Sequence, residues 1–138
     1  VERRDPEIVS PSSVTDARYR KSERLLRRPD FVRVQTSTRG QGTRFLRVLA
    51  VVSPAQRRRF GVTVSRKVGN AVVRNLVKRR LREIFRQNKD RFPEAMDIVV
   101  IARPSARGAS YAGLSEDLLR WAAEARRRAR AGSEAKTR

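Results

Sequence analysis

The stretch from Ala71 to Asn88 carries two opposed surfaces on one run of chain, and no other feature constrains the fold as tightly. On a 3.6-residue period Val73, Leu76, Val77, Leu81, Ile84 and Phe85 fall on one face, which predicts a helix packed on a sheet. Arg74, Lys78, Arg82 and Arg86 step by four residues along the other side, with Asn75 and Arg79 beside them. Arg80 falls at the apolar edge, where its stem can follow the core while its head reaches water. Such a helix needs a domain that covers its apolar face and leaves the cationic face outside.

The partner for that face is legible in the flanking segments. Asp97-Ile98-Val99-Val100-Ile101-Ala102 is a continuous apolar run, the pattern of a central strand buried on both sides, closed by Arg103-Pro104. Phe45 to Val52 and Phe60 to Ser65 read as two further strands. The Ser53-Pro54-Ala55-Gln56 turn and the Arg57-Arg58-Arg59 run between them predict a hairpin with a basic shoulder. Arg28 to Gln35 predicts a short helix, with Pro29 in its first turn, Asp30 at its positive end and a stop over Thr36 to Gly42. Pro93 is read as ending the basic helix. Ser110 is read as the N-cap of a last helix to about Ala131, with Leu114, Leu118, Trp121 and Ala125 at helical spacing and Trp121 in the core. Residues 1–21 read as a mobile basic tail and 132–138 as a polar tail, leaving one domain over 22–131. The fold class expected is α+β: a single α/β sandwich, a small mixed sheet packed with helices, with a long βαβ crossover through the basic helix.

Charge decides what such a domain is for. Lys and Arg number 34 against 14 Asp and Glu, a formal charge of +20. Solubility needs only a few net charges, so an excess of this size predicts a polyanionic partner whose phosphates release counterions on binding. A membrane surface is disfavoured, because no apolar run approaches spanning length and the basic helix keeps a core-like apolar face. With neither Cys nor His, thiolate and imidazole metal sites, the common neutral-pH base and every Cys-His or Ser-His arrangement are excluded. Asp90, Glu94 and Asp97 are read as capping and turn residues, so no catalytic residue and no tightly held metal is expected in the protein alone. No secretory-signal pattern is expected ahead of the folded part, and the absence of Cys suits the cytoplasm.

The most informative stretch runs from Phe60 to Arg86. A strand delivers Ser65, Arg66 and Lys67 to a turn at Gly69-Asn70, and the turn opens directly into the basic helix, whose first amides with Arg66, Lys67 and Arg74 can converge on phosphates. A basic helix face alone is as readily a solvated surface, and a lone Gly before a helix is ordinary turn chemistry. Their succession is more specific. It resembles the signature region of the bacterial ribonuclease P protein family, with its Ser-Lys-Lys-like strand end, Gly-Asn turn and Arg-Asn-Arg helix. The resemblance extends to Leu25–Val34 as a first helix, Asp97–Pro104 as a last strand and Ser110–Trp121 as a closing helix. One departure stands out: Arg-Asn-Arg is here Arg74-Asn75-Leu76.

The resemblance implies a ribonuclease P subunit that cleaves nothing itself. A magnesium-dependent RNA subunit hydrolyses the phosphodiester, while the protein, monomeric in a one-to-one complex, binds that RNA and grips the 5′ leader of precursor tRNA. It places RNA binding on Arg59, Ser65, Arg66, Lys67, Asn70, Arg74, Asn75, Lys78, Arg79, Arg82 and Arg86. It places a leader cleft at Phe31, Val48, Lys78 and Arg82, with Gln35 and Val48 standing where the family has aromatics. It also implies a left-handed crossover, against the general rule. Phe31 has two readings, a ring stacked on a base or a core contact, and the sequence does not choose between them. The competing functional class is a ribosomal or general structural RNA-binding protein, which would bind RNA without changing its processing.

Overall fold

The run Met96–Ala102 forms β4, and because it is apolar on both sides it sits inside the sheet and is covered on both faces. The structure, a computed structural model, describes residues 21–24 and 27–137. In chain order it contains α1 (Arg28–Ser37), β1 (Gln41–Gly42), β2 (Leu46–Val52), β3 (Arg59–Val64), α2 (Ala71–Gln87), β4 and α3 (Tyr111–Thr137), with 3-10 turns at Lys21–Glu23, Lys89–Arg91 and Pro104–Ala106. The sheet order is β1-β2-β4-β3, with β4 antiparallel to β2 and parallel to β3. The α+β sandwich and mixed sheet therefore stand as expected, and α2 lies in the connection between the parallel pair β3 and β4.

The expected hairpin does not form. β2 and β3 are consecutive but lie on opposite sides of β4, since the strand with two apolar faces takes the position with two neighbours. The stretch read as a stop for α1 also contains the short strand β1. The α2 helix ends at Gln87, six residues before Pro93: the Asn88 amide turns back to the Phe85 carbonyl and a 3-10 turn follows. The α3 helix continues to Thr137 instead of ending near Ala131 in a polar tail. Gly132 weakens a helix interior by only about 1 kcal/mol relative to Ala, and its Ala, Glu and Lys neighbours are good helix formers. The tail reading for the N-terminus falls on residues 1–20, outside those described, and so does Leu25.

Strand alternation divides the side chains between two cores. Leu46 and Val48 of β2, Phe60, Val62 and Val64 of β3, and Ile98, Val100 and Ala102 of β4 face α2 and α3 in the main core. There they meet Val77, Leu81, Ile84 and Phe85 of α2 and Leu114, Leu118 and Trp121 of α3. Phe60 and Phe85 stack with ring centroids 4.4 Å apart, and Phe92 closes on both edge-on. Ser110 caps α3, its hydroxyl accepting from the Gly113 amide at 3.0 Å. Leu76, expected on the apolar face of α2, is 38% exposed, because that face is narrower than the six-residue stripe.

Among the described residues, the opposite face of the sheet is covered by α1. Here Val34, Leu49 and Val99 are buried, flanked by Phe31, Val51 and Ile101. Beside them lies Asp97, fully buried in β4 and not the turn residue expected. Arg59 donates to it through Nε at 2.8 Å and Nη2 at 2.7 Å, Arg33 of α1 donates from the other side, and Asp30 lies 3.6 Å from Arg59. Burial alone would raise the Asp97 carboxyl. Hydrogen bonds from Arg59 and Arg33, the Arg59 charge and the Ser53 side chain outweigh it and hold the group below the ordinary carboxylate range.

Because the folded value is the lower one, this stabilisation is complete above the unfolded carboxylate's value of about 3.9 and is lost as pH falls through the depressed folded value. Asp97→Asn should lower the unfolding free energy at neutral pH by about 3 kcal/mol, the lower end for a broken buried pair because Arg33 keeps access to water. The deficit should shrink below about pH 4. Urea titrations at neutral and acid pH measure both; equal stability at neutral pH would mean that the network contributes nothing net.

Candidate nucleic-acid interface

The signature stretch folds as a strand end, a tight turn and a capped helix. β3 ends at Val64, and Ser65, Arg66 and Lys67 stand exposed beyond it. The Ser65 carbonyl accepts from the Val68 amide at 3.1 Å, and its hydroxyl accepts from the Lys67 amide at 3.3 Å. Val68 plugs into the main core, which fixes the turn from below. Gly69 is needed for close approach: a Cβ there would stand 2.8 Å from Cγ1 of Val73. Asn70 then caps α2, its Oδ1 accepting from the Val73 amide at 3.0 Å. The Asn70 side chain, expected among the RNA contacts, thus spends its oxygen on the helix.

Burial of Val77, Leu81, Ile84 and Phe85 leaves the other side of α2 in solvent, about 25 Å long at 1.5 Å per residue. Asn75, Arg79 and Arg82 are exposed, and Arg74 and Lys78 half-buried. Among the described residues no carboxylate pairs with Arg66, Lys67, Arg74, Lys78, Arg79 or Arg82. Nε of Arg74 is enclosed without a hydrogen-bond partner among those residues.

Two of the expected basic contacts, Arg86 and Arg59, are engaged elsewhere. Arg86 forms a two-pronged pair with Glu83, whose carboxyl is held low chiefly by that hydrogen bond. Arg59 is committed to Asp97, and this bond raises its own pKa above the usual arginine value. Arg80, as expected from its place at the apolar edge, is half-buried, and its guanidinium donates to the Ala109 carbonyl at 2.8 Å.

A second concavity lies on the α1 face. Arg28, Phe31, Val32 and Gln35 of α1 and Thr63 of β3 line an open groove of about 440 Å³. Phe31 is half-buried: it packs on the small core, as one of the two readings expected, and it also lines the groove. Val48 does not belong to it. It is 1% exposed and points into the main core, because β2 alternation sends Leu46, Val48 and Ala50 to that side. Lys78 and Arg82, expected in the same cleft, do not line it either; they stand on α2, across the sheet. The residues missed were Arg47 and Thr63, which share a row with Ile101 on the α1 face. The two-residue period that sends Leu46 and Val48 to the main core puts Arg47 on this face. The two surfaces flank one strand, since β3 is at the sheet edge, supplies Thr63 to the groove and carries α2 on its other face.

Among the described residues no three carboxylates gather to hold an ion. Asp97 and Glu83 are paired with arginines, Glu23 with Lys89 at 2.8 Å, and Asp117 accepts from Thr43 Oγ1 at 2.6 Å and the Phe45 amide at 2.9 Å. No described helix is long and apolar enough to cross a membrane.

The family model described as Ribonuclease P matches residues 19–126. The ribonuclease P protein component of Citrifermentans bemidjiense is 43% identical over 105 residues, spanning 76% of this chain and 90% of that protein. The corresponding component of Syntrophus aciditrophicus is 36% identical over 99 residues, spanning 72% and 83%. Among solved structures, the RNase P protein from Thermotoga maritima superimposes with a TM-score of 0.68 at 34% identity, over 74% of this chain and 96% of that one. The Staphylococcus aureus RNase P protein does so with a TM-score of 0.65 at 33% identity, over 71% and 90%. With the signature helix, the sheet and the match over most of its length in agreement, this chain belongs to the ribonuclease P protein component family.

Proposed function

We propose that this subunit binds the ribonuclease P RNA through the α2 face and the 5′ leader of precursor tRNA through the α1 groove, and takes no part in the bond cleavage. The observation that carries the reading is the line of cations from Arg66 to Arg82 with no paired carboxylate among the described residues. A folded surface that leaves so many cations without partners stores repulsion that RNA phosphates relieve. The groove differs in kind. It offers one aromatic face, Phe31, beside small polar side chains, which suits an unpaired, extended strand better than a duplex. Magnesium, on this reading, is held by the RNA subunit, where the hydrolysis takes place. The complex is read as one protein to one RNA in the cytoplasm.

Reconstitution tests the whole reading. At magnesium too low for the RNA to act alone, adding this protein to a bacterial ribonuclease P RNA should give accurate 5′ cleavage of a precursor tRNA. Binding without stimulation, across more than one RNA type, would favour the general RNA-binding class.

Two variants separate the surfaces. Replacing Lys78 and Arg82 together by Ala should weaken binding to the ribonuclease P RNA and lower the salt slope by about 0.9 per lost duplex phosphate contact. An unchanged slope in filter binding at several salt concentrations would remove those two residues from the interface. Phe31→Leu should reduce the preference for leader-bearing over mature tRNA by about fivefold, within the range for one lost stacking contact. A lower melting temperature with an unchanged preference would instead assign the ring wholly to the core.

A further inference from the structure

The α1 face of the sheet continues past the groove to its far edge, where two arginines meet over a glycine. Thr63, Ile101 and Arg47 form one row across β3, β4 and β2, and Gly42 of β1 pairs with Arg47. The position where a Cβ of Gly42 would stand lies 3.6 Å from Nη1 of Arg103 and 3.8 Å from Nη1 of Arg47. Both guanidinium groups therefore lean over the same spot, and the missing side chain leaves it open. Arg103 is held there by donation from Nη1 to the Thr43 carbonyl at 2.7 Å. Both residues are exposed, and neither pairs with a carboxylate among the described residues.

We propose that Arg47 and Arg103 form a phosphate clamp that takes the backbone of single-stranded RNA after it has crossed the groove. Two cations converging on one point without a counter-ion repel, and an anion between them reverses the sign of that interaction. Each guanidinium also presents a planar fork of donors matched to phosphate oxygens. The path is set by the sheet: Arg47 stands two strands from Thr63, about 10 Å at the usual strand spacing, and only Ile101 lies between them in the row. A strand seated on Phe31 and Thr63 and running across the sheet arrives at the clamp. This replaces stacking by charge at the outer end of the site, so the contact is insensitive to base identity and sensitive to salt. The proposal rests on the leader-binding reading of the groove.

The test uses the reconstituted ribonucleoprotein and three substrates: mature tRNA, a precursor whose short leader ends within the groove, and one with a leader several nucleotides longer. Arg47→Gln with Arg103→Gln should weaken binding of the long-leader precursor about tenfold and leave the other two unchanged. Its salt slope for the long leader should fall by about 1.4, two single-strand phosphate contacts. Arg47→Gln alone, which keeps the Arg103 bond to Thr43, should give part of the loss, and its melting temperature shows that the fold is intact. Equal losses on all three substrates, or none, would overturn the clamp. If the parent complex prefers leader-bearing tRNA while the double variant matches it, the clamp fails alone; if the parent does not distinguish leader-bearing from mature tRNA, the groove reading fails with it.

Discussion

β4 is the constraint on which the remaining structure depends. Its side chains are apolar on both sides, so stability requires a cover on each face and a neighbouring strand on each edge. The two edges are met by β2 and β3, which separates strands that are adjacent in sequence. The two faces are met unequally, by α2 and α3 together on one side and, among the described residues, by α1 on the other. Both candidate RNA surfaces follow from that inequality. One is the outer side of the helix that seals the large core; the other is the part of the sheet that a single ten-residue helix is too short to cover.

The distribution of carboxylates sharpens the picture. With 14 acids for 34 basic residues, most cations must lack a partner, and the fold decides which ones. Asp97 draws in Arg33 and Arg59, Glu83 draws in Arg86, and Glu23 reaches Lys89. These pairs lie where elements join or where a helix ends. The stretch from Arg66 to Arg82 has none among the described residues, nor do Arg47 and Arg103. These acids thus serve cohesion, and the excess positive charge is left concentrated on the two candidate surfaces.

Local patterns were legible in the sequence; partners distant along it were not. The apolar run of β4, the amphipathic spacing of α2, the Ser110 cap and the core place of Trp121 could each be read from a few neighbouring residues. The β2-β3 hairpin was wrongly expected because consecutive strands usually pair, and nothing in either strand signals the later arrival of β4. Arg59 was indistinguishable from its basic neighbours until Asp97, 38 residues on, folded against it. Val48 failed for a different reason. Matching by resemblance tolerates a shift of one residue, whereas strand alternation sends neighbouring side chains to opposite faces.

The small core beneath α1 also explains why the ion-pair network matters to the groove. Val34 is the only residue of α1 that the sheet buries fully, and an apolar contact of that size holds a helix weakly. Asp30 and Arg33, on the same helix, add the tie to Arg59 and Asp97 across β3 and β4. Charged contacts are directional where apolar ones are not, so they fix the angle at which α1 lies and with it the position of the Phe31 ring above the sheet. Loss of the network would leave α2 and its cationic face on the large core while α1 loosened. The two candidate RNA surfaces are therefore mechanically separable in this fold: one rests on close-packed aromatic rings, the other on a buried carboxylate shared by two arginines.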